Sequence, residues 1–404
     1  MKKKETWIKT RHKVVTAIVR PFANVLNTAL YHIKVDKFKE QGERNWLILA
    51  NHQTDFDQFF IGTAFKKPVY YVAMEDLFSN GFVSKLITWL VAPIPFMKAT
   101  ADIRAVMTCM RIAKEGGSIA IFPEGNRTYS GRTCYIKPSV AALAKKLGLP
   151  IAIFRIEGGY GVKPRWAQEG RKGKMKAGVR RVIEPEEYKN MSKDELYELI
   201  CKELWVDEAC DDAEYYCKNA AEGLERVIYV CPECGLSEFE TDGDELRCKK
   251  CGKKHRYLSN KQLEAIDGET KFRYVANWYD FQEEYIRKLD LMPYFSSPMY
   301  SDTADISEVI VYDKKRPMMK NAQITLYADR LEISGEQDKM TLSFDDVKAM
   351  ACIADHKLNV FYMDRIYQIS GDKSFNALKY CNIYYHEKFV KEEHGDGEFQ
   401  FLGL

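Results

Sequence analysis

The segment Asn51-His52-Gln53-Thr54-Asp55-Phe56-Asp57 follows directly on the apolar run Trp46–Ala50. An imidazole titrates near neutrality, so it can take a proton from a hydroxyl as that oxygen attacks a carbonyl carbon. A carboxylate behind the ring would fix its tautomer and stabilise the imidazolium that forms, and Asp57 and Asp55 are both candidates. The attacking hydroxyl then does the nucleophile's work, and no serine or cysteine is needed. Taken alone, the segment fits equally well a His and an Asp that cap the start of a helix. A second carboxylate lies in Phe122-Pro123-Glu124-Gly125-Asn126-Arg127-Thr128, after the apolar run Ser118–Phe122. Proline and glycine force a tight turn there. Arg127 offers a planar fork that matches a phosphate, the alternative being an ion pair with Glu124. Between the two segments, Ile94-Pro95-Phe96-Met97-Lys98 ends an apolar stretch with a cation, and Gly148-Leu149-Pro150-Ile151 leads into a later one.

These groups need elements that bring them to one edge. Short apolar runs at Trp46–Ala50, Val69–Ala73, Ser118–Phe122, Ile151–Ile156 and Val179–Ile183 alternate with helical patterns. Such alternation predicts an α/β domain, a sheet flanked by helices. Sheets of this kind build their sites beyond the carboxyl ends of the strands, where His52 would stand. Ser192-Lys193-Asp194-Glu195 is a capping-box start for a helix through about residue 204. Ahead of the sheet, two helices are expected, Trp7–Val19 and Pro21–His32, divided at Pro21 because proline disrupts a helix interior. The first mixes Ile8, Val14, Val15, Ile18 and Val19 with Lys9, Arg11 and Lys13, the composition of a helix lying in a membrane interface. Phe82, Leu86, Trp89 and Leu90 read as helix core, with the lining of an apolar tunnel as the alternative.

In this order and spacing, the four motif segments resemble the lysophosphatidate acyltransferase family of glycerolipid acyltransferases, over roughly residues 30–185. That family carries N-H-x-S-x-x-D, a block ending in Arg, F-P-E-G-T-R-S, and a later proline-containing strand. Here Thr54 stands for Ser, Asn126 and Thr128 for Thr and Ser, and Lys98 for the usual Arg. The resemblance implies an acyltransferase-type sheet with His52 as general base and Asp57, favoured over Asp55 by the family spacing, as its partner. It further implies that Glu124, Gly125 and Arg127, with Lys98, bind the glycerol phosphate. The acyl donor would be acyl-CoA or acyl-carrier-protein, the acceptor 1-acyl-glycerol-3-phosphate, the product phosphatidate. Lys98 keeps a positive charge but not the bidentate fork, which leaves the head group open. One alternative is a different acceptor, glycerol-3-phosphate or another lysolipid. Another is a non-catalytic membrane adaptor, which would need none of His52, Asp57, Glu124 and Arg127.

Further on, Cys231-Pro232-Glu233-Cys234 and Cys248-Lys249-Lys250-Cys251 are two C-x2-C knuckles, each followed by glycine, Gly235 and Gly252. Four thiolates so spaced suit a closed, tetrahedral, structural zinc site, and the segment resembles a zinc ribbon. A stretch this short cannot bury a core of its own, so metal would supply its folding energy. His255 lies close and reads as a surface residue. A polar helix from Val275 to Lys288 follows. Period-2 runs come next, at Val309–Tyr312, Gln323–Tyr327, Arg330–Ile333, Thr341–Phe344, Leu358–Tyr362 and Ile366–Ile369, before a closing helix near Phe375–Phe389. They predict a small, mostly-β, barrel-like domain of pleckstrin-homology type. Tyr380, Tyr384, Tyr385 and Phe389 read as its packing. The expected divisions are amphipathic membrane-surface helices over 1–40, the acyltransferase domain over 41–225, the ribbon over 226–260, and the helix plus β-rich domain over 261–404.

The 404 residues carry a formal charge of only +3, but residues 1–45 hold eight Lys and three Arg against four acids, +7, leaving −4 for the rest. A basic leading segment points to an anionic surface, here a membrane carrying anionic lipids, with nucleic acid not expected. Lys163–Arg181 is also basic and reads either as a face for anionic lipid or an acidic carrier protein, or as a solvated loop and strand edge. Seven of the eleven cysteines have no framework spacing, and no signal-peptide pattern or spanning stretch of about 18–20 apolar residues is present. The expectation is reduced thiols and a peripheral position on the cytoplasmic face of a membrane.

Overall fold

The computed structural model describes residues 6–31, 33–97, 102–211 and 213–391. They form two compact units. The first holds the described residues up to Pro164 together with Lys172–Glu208 and Val311–Asp313; the second holds Arg165–Arg171, Ala209–Ile310 and those from Lys314 onward.

The first unit is a mixed α/β layer. Strands β1 (Ile33–Val35), β2 (Leu47–Ala50), β3 (Val69–Met74), β4 (Ile94–Phe96), β5 (Ser118–Ile121), β6 (Ile151–Glu157) and β7 (Met175–Ile183) stand in the order β1-β7-β6-β2-β5-β3-β4. Every neighbouring pair is parallel except β6 with β7. The unbroken apolar runs of β2 and β5 follow from this position, since central parallel strands are covered on both faces. Leu47 and Leu49 face a cluster built with Ile112, Ala141, Ala144, Leu196, Ile200 and Leu204, while period-2 alternation turns Ile48 and Ala50 to the opposite face. Each such fully buried aliphatic side chain contributes about 1.5–3 kcal/mol.

The covering helices are α1 (Thr10–Tyr31), α2 (Asp57–Ala64), α3 (Phe82–Val91), α4 (Ile103–Lys114), α5 (Ser139–Leu147) and, after the single turns α6 (Gly159–Val162) and α7 (Pro185–Tyr188), α8 (Lys193–Leu204). The capping box at the start of α8 is complete: Ser192 Oγ accepts from Glu195 N, and the Glu195 carboxylate accepts from Ser192 N. Two expectations are corrected. The leading helix is one element that runs through Pro21 rather than two. Proline removes one i→i−4 bond, but the carbonyl it leaves, that of Ala17, lies on an exposed residue and is not stranded in a core. Nor is α3 core: Phe82, Leu86 and Trp89 stand on its outside, because the helix buries only the side of Ser84. No helix among the described residues is long and apolar enough to cross a membrane.

The second unit contains the cysteine knuckles. Strands β8 (Val230–Cys231) and β9 (Gly235–Leu236) flank the first, and β10 (Phe239–Asp242), β11 (Glu245–Cys248), β12 (Lys254–Tyr257) and β13 (Leu263–Ala265) form an antiparallel sheet with the second at the β11–β12 turn. Helix α9 (Val275–Arg287) fastens to this segment: Trp278 Nε1 donates to Val230 O at 2.8 Å and Gln282 Nε2 to Val227 O at 2.8 Å. His255 is buried rather than on the surface, since its place on β12 sets its ring 4.8 Å from that of Trp278.

A seven-stranded antiparallel sheet follows, made of β14 (Tyr300–Val309), β15 (Lys315–Leu326), β16 (Arg330–Ser334), β17 (Lys339–Ser343), β18 (Val347–Ile353), β19 (Lys357–Tyr362) and β20 (Arg365–Gly371), with α10 (Ala377–Lys391) against it. Its order, β17-β16-β15-β14-β20-β19-β18, leaves β17 and β18 as edges, with no ladder closing the sheet among the described residues. Val309–Tyr312 is not a strand. Val309 ends β14, and Tyr312 has a φ of +68°, which belongs to the hairpin turn. Tyr380 and Tyr384 are buried in packing, with Tyr380 Oη donating to Asp302 and Tyr384 Oη to Val347 O.

Candidate active site

Register brings the two motif segments together. Leu49 on β2 pairs with Ile121 on β5 in a parallel ladder, so His52 and Glu124, each three residues on, leave the same edge of the sheet at the same level. Asn51 fixes the end of β2 on its other side: its side chain donates to Ile156 O and accepts from Ile156 N, both at 2.8 Å.

His52 Nδ1 lies 2.8 Å from Asp57 Oδ2. Asp57 opens α2, where the helix dipole favours a carboxylate. Its oxygens are fully buried and also accept from Gln53 N at 2.6 Å, Thr54 N at 3.0 Å and Thr54 Oγ1 at 2.6 Å. Asp57 already accepts from three other donors, so the tautomer that completes this bond carries its proton on Nδ1 and leaves Nε2 as the basic nitrogen. Asp55 is exposed and makes no such contact. The imidazole stacks on Phe122, centroids 4.4 Å apart, and keeps 22% of its side-chain surface open. A ring held from one side and open at the other is what a general base requires.

Glu124 is buried beneath this pair. Its Oε1 accepts from His52 N at 2.7 Å and its Oε2 from Cys134 N at 2.6 Å. Burial pushes its carboxyl up to about 8, against the pull of those two donors. Gly125, exposed, closes the turn by donating to Phe122 O at 3.0 Å with a φ of +67°, a conformation that favours glycine. Arg127 is half-buried on the same turn, and Thr128 N returns to His52 O at 3.2 Å. Thus His52, Asp57 and Glu124 are joined directly, with Gly125 and Arg127 on the connected turn. Lys98 lies outside the described residues.

Glu124 therefore acts on residue 52 through its backbone. Each carboxyl oxygen accepts one backbone N–H, whereas a glutamine amide can satisfy only one of the two. Glu124→Gln should lower kcat by about 10–100-fold with KM changed less than about twofold, because the ring is displaced rather than the substrate released. A carboxyl raised in the folded state adds stability that is complete below its ordinary range near 4.5 and is lost as pH rises through about 8. Thermal unfolding across that window should show this decline in the parent and a smaller one in the variant; an unchanged kcat would refute the bracing role.

Several contributors were not assigned these roles from the sequence. Thr54 clamps Asp57, Phe122 backs the ring, and Cys134 reaches Glu124 from ten residues away. Only the first has a local signature, a hydroxyl placed to meet a nearby carboxylate. In the basic stretch, most charges are committed. Lys176 pairs with Glu157, Arg180 with Asp36, and Arg181 with Glu187 and Glu203. Arg171 is buried between the rings of Trp166 and Tyr257, 4.7 Å from each centroid.

In the second unit, the sulfurs of Cys231, Cys234, Cys248 and Cys251 all lie within 4.8 Å of one another, with Cys231 and Cys251 3.7 Å apart. Four sulfurs each about 2.3 Å from a zinc ion would be about 3.8 Å apart, so the cluster fits that ion. Gly235 and Gly252 turn the chain after each knuckle with φ of +70° and +77°. His255 is not part of the cluster.

Comparison with known proteins bears on the first unit. Residues 31–156 match the family model described as Acyltransferase, so the resemblance carried by the motifs holds over the segment that contains His52, Asp57, Glu124 and Arg127. The chain is 27% identical over 143 residues to the chloroplastic 1-acyl-sn-glycerol-3-phosphate acyltransferase BAT2 of Brassica napus, 33% of this chain and 38% of that one. It is 24% identical over 183 residues to the chloroplastic LPAT1 of Arabidopsis thaliana, 43% and 48% of the respective chains. It is 29% identical over 120 residues to the 1-acyl-sn-glycerol-3-phosphate acyltransferase of Borreliella burgdorferi, 27% and 46%. The chain spans less than half the length of these relatives. A crystal structure of the 1-acyl-sn-glycerophosphate acyltransferase PlsC from Thermotoga maritima aligns with a TM-score of 0.40 at 23% identity, over 48% of this chain and 79% of that one.

Proposed function

We propose that this chain is an acyltransferase that esterifies the free hydroxyl of 1-acyl-glycerol-3-phosphate with a fatty-acyl group from acyl-CoA or acyl-carrier-protein, making phosphatidate. The observation that carries the reading is the His52 ring, held through Nδ1 by a buried carboxylate and open at its other side, in a segment that matches the acyltransferase model. Nε2 takes the proton of the acceptor hydroxyl as its oxygen bonds to the thioester carbon. The carbon–sulfur bond then breaks, and the imidazolium returns the proton to the departing sulfur. Asp57 stays ionised and stabilises the imidazolium between these steps. Arg127, with Lys98 and Gly125, would hold the acceptor phosphate, and Glu124 would brace His52 from the same connected turn.

The protein would work from the cytoplasmic face of a membrane containing anionic lipids, meeting its lipid acceptor there. The four cysteines would hold a structural zinc ion as thiolates, and no step of the reaction passes through it. The test is direct: purified protein with labelled acyl donor and 1-acyl-glycerol-3-phosphate should yield phosphatidate, with glycerol-3-phosphate and other lysolipids run alongside. Preference for one of those acceptors would move the assignment within the acyltransferases, and no ester product with any donor would overturn it.

A further inference from the structure

A crossover helix between parallel strands ordinarily turns its apolar side to the sheet. Helix α3, which joins β3 to β4, does the reverse. Phe82 is 78% exposed, Leu86 42% and Trp89 55%, with Val83 exposed beside them. The spacing i, i+4, i+7 places the three on one outer stripe. We infer that α3 is the element by which this protein docks on an anionic lipid bilayer, and this rests on the reading that its substrates are lipids.

The surroundings specify the occupant. Arg11 of α1 donates through Nε to Trp89 O at 2.7 Å and sets its guanidinium 5.2 Å from the centre of the Trp89 ring, so α1 lies beside α3. On α1, Val14, Ile18, Phe22 and Val25 are exposed at helical spacing, a second outer stripe. Neither helix contains an Asp or Glu, while the two carry Arg11, Lys13, Arg20 and Lys85. Within these two helices, aromatic and aliphatic side chains among cations and no carboxylates match the boundary between acyl chains and negative head groups. A second copy of the same face would set like charges against one another. The topology suits such docking as well. Strand β3 is parallel to β5 and β5 to β2, so α3 begins at the carboxyl edge of the sheet, the edge that carries His52.

The inference is tested by flotation of the whole protein with vesicles of phosphatidylcholine alone or with phosphatidylglycerol. The variant Phe82→Asp/Leu86→Asp alters exposed side chains only, and Leu86→Trp keeps the stripe apolar. The aspartate pair should lower partitioning onto anionic vesicles at least tenfold and turnover of vesicle-borne acceptor by a similar factor. Leu86→Trp should partition at least as well as the parent. Turnover of a short-chain acceptor below its aggregation limit should be unchanged in both. Normal flotation of the aspartate pair, or equal binding of the parent to neutral and anionic vesicles, overturns the inference; so does loss of a dimer, rather than of vesicle binding, in that variant. Vesicle docking through α3 without any transfer to any acceptor would refute the proposed function and leave this inference standing.

Discussion

His52→Ala should lower turnover by about 10³-fold or more, with the unfolding temperature close to that of the parent. The ring's polar partner is Asp57, and it rests on Phe122 at a partly open position, so its removal takes away the proton acceptor and little packing. Asp57→Asn should be nearly as damaging to turnover for a different reason. An amide nitrogen turned toward Nδ1 would favour the other tautomer and place the proton on Nε2, where the lone pair is needed. That variant should also be less stable, because Asp57 accepts from Gln53 N, Thr54 N and Thr54 Oγ1 as well. Single-turnover transfer from a labelled donor, run beside thermal unfolding, separates the two effects. Parent-like transfer by His52→Ala would end the general-base assignment.

The second large effect concerns the cysteines. The purified chain should contain one zinc per molecule, and Cys248→Ser should lose it and unfold about 10 °C or more below the parent. The metal would join the β8–β9 turn to the β11–β12 turn, and α9 rests on that frame through Trp278, whose ring meets Phe239 and His255. Because thiolates must be deprotonated to bind, acidification should release the ion and strong chelation should mimic the serine variant. Elemental analysis showing no metal in reduced, freshly prepared protein would rule the site out.

The first unit was legible in the sequence wherever chemistry and backbone period coincide. The apolar runs before His52 and Pro123 are central parallel strands, and their equal length places His52 level with Glu124. The box at Ser192 announces its helix through two side chains only three positions apart. What was hidden depends on partners distant in the chain. Nothing local shows that Cys134 presents its N–H to Glu124, or that His255 meets Trp278. Composition alone made α3 look like core, since an apolar helix reads the same whether protein or lipid covers it. Strand β14 escaped because only Tyr300, Ala304, Ile306 and Val309 are buried along Tyr300–Val309, and its polar positions mask the alternation.

The imidazole and its carboxylate are neighbours in the chain, whereas the brace beneath them comes from 72 positions away. Closing the small turn costs little loop entropy; aligning β5 beside β2 costs more. The rigidity of the pair therefore rests on a contact of long sequence separation, that of β5 beside β2, and not on the local turn alone. A substitution that loosens β5 should therefore disturb His52 and Asp57 without touching either residue.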